Sequence, residues 1–149
     1  MTDFTIVKMS ETHVKEVAEL EKQCFSTPWS ETSLLEELNK NNSYFLVAIH
    51  TTGQLVGYIG FNFILDEGYI TNIAVHTNFR RCGIARNLLQ EIIDFSQRRQ
   101  LKFVSLEVRK SNIPAISLYE KMGFSSVGER TNFYSTPTEN ALIMINFLK

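Results

Sequence analysis

The chain has 149 residues, 44% of them hydrophobic and 21% charged, which is enough for one real core and gives no sign of a second. The apolar runs at 44–49 and 55–65 are too short or too polar to span a bilayer, and no basic segment followed by an apolar one opens the sequence, so the expectation is a cytoplasmic protein with no membrane partner. Cys24 and Cys82 form no disulfide framework, and His13, His50 and His76 are scattered, so no metal site is expected.

Residues 4–9 alternate apolar and polar side chains as a first strand does, and Ser10 is placed to cap a helix carried by Val14, Val17, Leu20 and Cys24. Residues 25–29 interrupt it. Ser30 caps a second helix with Glu31 in its first turn, and Trp29 and Leu34 occupy the two positions of a hydrophobic staple, which accounts for Trp29 without a ligand. Residues 44–49, a turn at 51–53 and residues 55–65 read as a hairpin. Asp66, Glu67 and Gly68 then turn into a strand that ends near Val75.

Arg80-Arg81-Cys82-Gly83-Ile84-Ala85 follows, between that strand and a run opening at Ile84. A helix start leaves several N–H groups without partners and carries partial positive charge, so a small-residue loop feeding it suits a phosphorylated ligand, and Arg80, Arg81 and Arg86 raise the local potential. The spacing fits neither the G-x-x-x-x-G-K-[ST] nor the G-x-G-x-x-G nucleotide pattern. An ordinary strand-to-helix turn is the plainer alternative. Ile84, Leu88, Ile92 and Phe95, with Ala85, Leu89 and Ile93, then form a broad apolar stripe at helical spacing.

Residues 103–108 are the next strand, with Val104, Leu106 and Val108 on one face and Phe103, Ser105 and Glu107 on the other. Asn112 and Pro114 start a short helix that Gly123 ends, and residues 124–127 and 141–148 supply closing strands around a turn-rich 135–140 segment. The fold class is therefore α/β or α+β: a single domain over 1–149, with a mixed sheet of about seven strands covered by about four helices. Charge is unevenly spread. Residues 1–79 hold four Lys/Arg against ten Asp/Glu, and residues 80–110 hold eight against three. The basic segment carries no aromatic-interleaved or groove-reading motif, so direct nucleic-acid binding is not expected.

The run V-H-T-N-F-R-R-C-G-I-A-R-N-L-L over 75–89, then Leu106-Glu107-Val108-Arg109, then Asn112-x-x-Ala115-x-x-Leu118-Tyr119-x-x-x-Gly123-Phe124, closely resembles the GNAT acyltransferase superfamily. Phe25-Ser26-Thr27-Pro28-Trp29-Ser30, Asn72-Ile73-Ala74-Val75 and the Ser111-Asn112 pair after L-E-V-R are similar to its ribosomal-protein-alanine N-acetyltransferase (RimI-type) group. The resemblance covers nearly the whole chain. It implies acetyl-CoA as donor, and as acceptor the N-terminal α-amine of a basic small-subunit ribosomal protein beginning with alanine. It implies pyrophosphate contacts from Arg81, Cys82, Gly83, Ile84, Ala85 and Arg86, pantetheine and thioester contacts from Ile73, Ala74 and Val75, and a further cofactor contact from Asn112. Glu107 is implied as general base and Tyr119 as general acid. Two departures stand out: His76-Thr77 replaces an acidic residue and proline, and Phe133-Tyr134 replaces a tyrosine pair.

The residue chemistry is compatible with those roles. Acetyl transfer from a thioester to an amine needs a neutral amine, an oxyanion site and a proton for the thiolate. An α-ammonium titrates near roughly 8 and a lysine near roughly 10.4, so a carboxylate acting through water prepares an N-terminal amine more readily. Backbone N–H groups of residues 72–75 are the expected oxyanion donors if that strand splays from its neighbour. The plainer readings are an ion pair of Glu107 with Arg109 or another surface residue, and a core ring for Tyr119. Neither cysteine has a His/Asp partner, so direct transfer in a ternary complex is expected. Glu36, Glu37, Asp66 and Glu67 are candidates to draw in a basic tail, with residues 25–29 and Tyr134 flanking it. The rival functions are acetylation of a small amine such as a polyamine or aminoglycoside, and a non-catalytic CoA-binding or docking module.

Overall fold

Period-two alternation builds one seven-stranded sheet in the computed structural model, which describes residues 3–149. The strands are β1 (Phe4–Lys8), β2 (Leu46–His50), β3 (Leu55–Ile64), β4 (Glu67–Val75), β5 (Phe103–Arg109), β6 (Ser125–Tyr134) and β7 (Glu139–Phe147). Their spatial order is β1-β2-β3-β4-β5-β7-β6. Every neighbouring pair is antiparallel except β4 and β5. That parallel pair needs a crossover, and the amphipathic helix α3 (Ile84–Arg98) supplies it. Three more helices, α1 (Val14–Cys24), α2 (Glu31–Leu38) and α4 (Ile113–Lys121), complete the predicted set of four.

The sheet separates two apolar layers. Leu46 and Ala48 of β2 join α3 residues Leu88, Leu89 and Ile92, together with Tyr119 of α4, in one cluster. Phe45 and Val47, one residue out of phase, join Val14, Val17 and Leu20 of α1 and Leu34 of α2 in the other. Trp29 packs against that second cluster, to which its expected staple partner Leu34 belongs, and lies 6.4 Å from Phe45 between ring centroids. Val104, Leu106 and Val108 are buried in the α3 layer, which turns Glu107 to the opposite face of β5.

Two boundaries differ from the sequence reading. The first helix opens with a 3₁₀ turn over Glu11–His13, where the Ser10 N–H donates to His13 Nδ1 at 3.0 Å, before α1 begins at Val14. The strand predicted at 124–127 runs on to Tyr134 as β6, because β7 pairs with Glu129 and Arg130 and again with Tyr134 across an irregularity in which Asn132 takes a positive φ of 52°, and no apolar periodicity marks that polar stretch.

Candidate active site

β4 and β5 pair only through Glu67, Gly68 and Tyr69 opposite Phe103, Val104 and Ser105. Beyond that point β4 remains bonded only to β3, and β5 only to β7, so the sheet opens into the splay that the sequence cannot show. The His76 N–H donates to the Val56 carbonyl at 2.8 Å, which fixes the phase of the β3–β4 ladder. By alternation, Ala74 faces β3 while Ile73 and Val75 turn their N–H groups away from it, toward the opening. Asn72 Oδ1 accepts from the Ile73 N–H at 3.1 Å. Of the backbone donors expected over 72–75, Val75 is therefore the amide aimed into the cleft.

The basic loop lies at the end of this strand. Gly83, the N-cap of α3, has φ +83°, and Arg81 also takes a positive φ of 64°. A Cβ at position 83 would meet nothing within 4 Å, so the glycine serves backbone conformation and not close approach. With no capping side chain and no acidic residue in the first turn, the opening amides of α3 are left for an anion. Ile84 is buried, and its Cγ2 stands where a Cβ at Gly57 of β3 would be crowded at 2.8 Å, which seats the helix mouth on the sheet. Arg80 is committed elsewhere: its Nε donates to the Val75 carbonyl at 3.3 Å and its Nη2 to Cys24 Sγ at 3.7 Å. Arg81, Cys82 and Arg86 are exposed and Ala85 is half-buried. Asn112 caps α4, its side chain accepting from the Ala115 N–H at 3.3 Å.

The opposite wall carries ionisable groups. Glu107 is half-buried and pairs with Arg130 of β6 at 3.2 Å. The ion pair foreseen for it therefore forms with Arg130 and not with Arg109. Arg109 reaches Glu139 at 3.1 Å and the Ser135 and Pro137 carbonyls at 3.1 and 3.0 Å, and its guanidinium lies 4.5 Å above the Tyr134 ring. Glu139 also accepts from the Ser111 N–H at 2.7 Å. Hydrogen bonds from Ser111 and Arg109 hold its carboxyl below the usual range. This clasp fixes the β6–β7 hairpin over the end of β5 and sets Tyr134 beside Glu107. Burial, then the Glu107 charge, pushes the Tyr134 phenol up to about 12. The Tyr119 ring is buried against Phe124, with centroids 5.9 Å apart, and its hydroxyl has no hydrogen-bond partner among the described residues. Burial, and next the proximity of Tyr134, holds its pKa well above that of a free phenol. Tyr134, expected from the sequence only to flank an acceptor, is thus coupled electrostatically to both Glu107 and Tyr119.

A second feature escaped the sequence reading. Glu21 of α1 has no solvent exposure, and its carboxylate accepts from the Trp29 N–H at 2.8 Å, from the Tyr58 hydroxyl and from Asn72 Nδ2. Burial raises its pKa, and those three hydrogen bonds oppose the rise. The available signal was spacing: Glu21 lies four residues after Val17 on the core-facing stripe of α1. Of the four carboxylates suggested for a basic tail, Glu37 bonds Asn62 and Lys40, Asp66 pairs with Lys102, and Glu67 accepts from Tyr69. Glu36 alone stays uncommitted among them, lining a hollow of about 470 Å³ with Trp29 and Ser33.

A sheet that opens between two parallel strands, with unclaimed amides on one wall and ionisable side chains on the other, suits the passage of an acyl group between two bound molecules. Residues 14–124 match the acetyltransferase (GNAT) family, and the chain belongs to it: it is an acetyltransferase. The likeness then narrows to one kind of acetyltransferase. The chain is 33% identical over 142 residues to the ribosomal protein bS18-alanine N-acetyltransferase of Escherichia coli (strain K12), covering 94% of this chain and 95% of that protein. It is 35% identical over 131 residues to a Bacillus subtilis protein named as a candidate for the same activity, covering 88% and 87%. The crystal structure of the ribosomal-protein-S18-alanine N-acetyltransferase from Escherichia coli superposes with a TM-score of 0.89 at 30% identity, over 98% and 96% of the two chains.

Proposed function

We propose that this chain is a cytoplasmic, single-domain enzyme that acetylates the α-amine of a protein N-terminus, namely the terminal alanine of ribosomal protein bS18. The observation that carries the acceptor is the extent of the likeness to bS18-alanine N-acetyltransferases, which runs through the loops flanking the cleft as well as the donor side. The amides at residues 81–86 grip the diphosphate of acetyl-CoA, Arg81 and Arg86 add charge, and Asn112 contacts the cofactor near the start of α4. Ile73, Ala74 and Val75 run beside the pantetheine arm. The Val75 N–H donates to the thioester oxygen as it gains negative charge.

Glu107 takes the proton from the incoming ammonium through a water and releases it to solvent, the neutral amine attacks the thioester carbonyl, and the tetrahedral adduct expels the thiolate while its nitrogen gives up a second proton along the same path. Tyr119 donates a proton to that sulfur and regains one from solvent. A phenol with an elevated pKa stays protonated at neutral pH and is available as the acid, and this holds for Tyr119. Transfer is direct. Burial raises the Cys24 thiol, which makes it a poor nucleophile, and Cys82 lies in the diphosphate loop with no base beside it. The turn at 25–30 and Tyr134 flank the first acceptor residues.

Incubation with acetyl-CoA and peptides that differ only in a free or blocked N-terminus, followed by mass spectrometry, tests the acceptor. A single acetyl on the free α-amine of an alanine-first basic peptide is expected. Modification confined to lysine, or to polyamines, defeats the assignment. Acceptor-dependent turnover that persists in a double Cys24→Ala, Cys82→Ala variant supports direct transfer, and an acetyl-cysteine that forms and decays at the turnover rate contradicts it.

A further inference from the structure

Glu21 is a fully buried carboxylate, and none of the catalytic roles above uses it. A charge kept out of water is costly unless its oxygens are saturated with donors, and a leucine at this helix position would pack without that demand. Both Glu21 oxygens are occupied. Oε1 takes the backbone N–H of Trp29, and Oε2 takes the Tyr58 hydroxyl and the Asn72 amide. Asn72 in turn spends its own oxygen on the N–H of Ile73, the residue adjoining the cleft-facing segment of β4. An unbroken polar relay therefore links the 25–30 turn to the strand that lies along the donor.

We propose that Glu21 is a positioning residue that locks the acceptor-side turn at Trp29 to the Asn72–Ile73 segment of β4, so that the two substrates are held in register. The inference rests on the reading above that this turn flanks the acceptor. It does not touch donor binding at the α3 mouth, which Glu21 does not reach by any hydrogen bond. Donor and acceptor patterns are strict here. Glu21→Gln places an amide nitrogen against either Trp29 N–H or Asn72 Nδ2, and Asn72→Asp places a carboxylate against the Glu21 carboxylate. Combining the two reverses the polarity of the link and restores it: the new amide at position 21 donates to the new carboxylate at position 72, and its oxygen still accepts from the Trp29 N–H.

Trp29 is the chain's single tryptophan, so its fluorescence reports on the turn directly. In E21Q and N72D, acrylamide quenching of Trp29 should rise, and the KM for an alanine-first peptide should increase about tenfold, with the calorimetric Kd for acetyl-CoA unchanged in E21Q. In the E21Q/N72D double variant both quenching and KM should return toward wild type. A residue that merely supported the fold would lower the melting temperature and move donor and acceptor affinities together. The proposal is overturned if folded E21Q keeps wild-type quenching and KM, or if the double variant is no better than the weaker single. Should E21Q fail to fold, N72D and the double variant carry the same comparison. If the wild type modifies lysine alone, the acceptor reading falls, while the quenching cycle still decides whether the lock exists.

Discussion

Two phenols are candidates for the proton donor, Tyr134, which feels the Glu107 charge, and Tyr119, which feels Tyr134, and the chemistry needs one of them. Tyr119 is the more deeply buried and is free of hydrogen bonds to the described residues, whereas Tyr134 is covered by Arg109 and perturbed first by burial and then by Glu107. Tyr119→Phe should therefore lower kcat about 100-fold or more, as loss of a general acid does, and Tyr134→Phe should act mainly on acceptor KM. Glu107→Gln should lower kcat to a similar degree with little change in acetyl-CoA affinity, measured by calorimetry; a parallel loss of binding and melting temperature would mark its pairing with Arg130 as structural. The pH dependence follows in sign. Both phenols have raised pKa values, so neither loses its proton below roughly pH 10, and kcat should show no alkaline fall from tyrosine below that point. An alkaline limb centred near roughly pH 9 that vanishes in Tyr119→Phe would contradict this.

At the scale of elements, the mouth of α3 and the β6–β7 hairpin set the two walls of the cleft. Gly83→Ala fits sterically but forces an L-residue into the left-handed region, so it should cost about 1–2 kcal/mol in thermal unfolding and weaken acetyl-CoA binding as the amides reorient. Wild-type affinity in that variant would remove the loop from the diphosphate site. The hairpin is tied by Glu139, whose carboxyl titrates below its usual range. A depressed carboxyl stabilises the fold above its unfolded pKa and loses that contribution as pH falls through the folded one. Urea unfolding of wild type and Glu139→Gln should thus differ at about pH 6 and converge toward about pH 3. A difference independent of pH would show that the hairpin does not depend on the Glu139 charge.

Across the whole molecule, one sheet divides two apolar layers yet continues through both halves of the splay. The first cluster draws residues from β2, β3, β4, β5, β7, α3 and α4, so the halves share a core even where β4 and β5 no longer pair. Unfolding should accordingly be cooperative: Trp29 fluorescence, which reports on the α1–α2 layer, and far-ultraviolet dichroism should give coincident denaturant transitions. Separate midpoints would show that the layers melt independently. Leu88→Ala, at a position with no exposure in the shared core, should cost about 2–5 kcal/mol and shift both probes together.

Helices, strands and the glycine loop before α3 were legible because each follows a local rule. The stripe Ile84-Leu88-Ile92 has the period of α3, Val104-Leu106-Val108 has that of β5, and Gly83 with its flanking arginines marks a helix mouth. Glu107 was legible as facing away from the α3 layer for the same reason, but its partner was not: Arg130 lies 23 residues on and reaches it only because β7 inserts between β5 and β6. The splay, the reach of β6 to Tyr134 and the carboxylate at the centre of the Trp29–Asn72 relay were also decided by tertiary structure. Periodicity and caps act over a few residues and are written in sequence order. Strand insertion, register and the choice of which buried charge meets which donor depend on distances between segments far apart in the chain, and only the folded packing sets those.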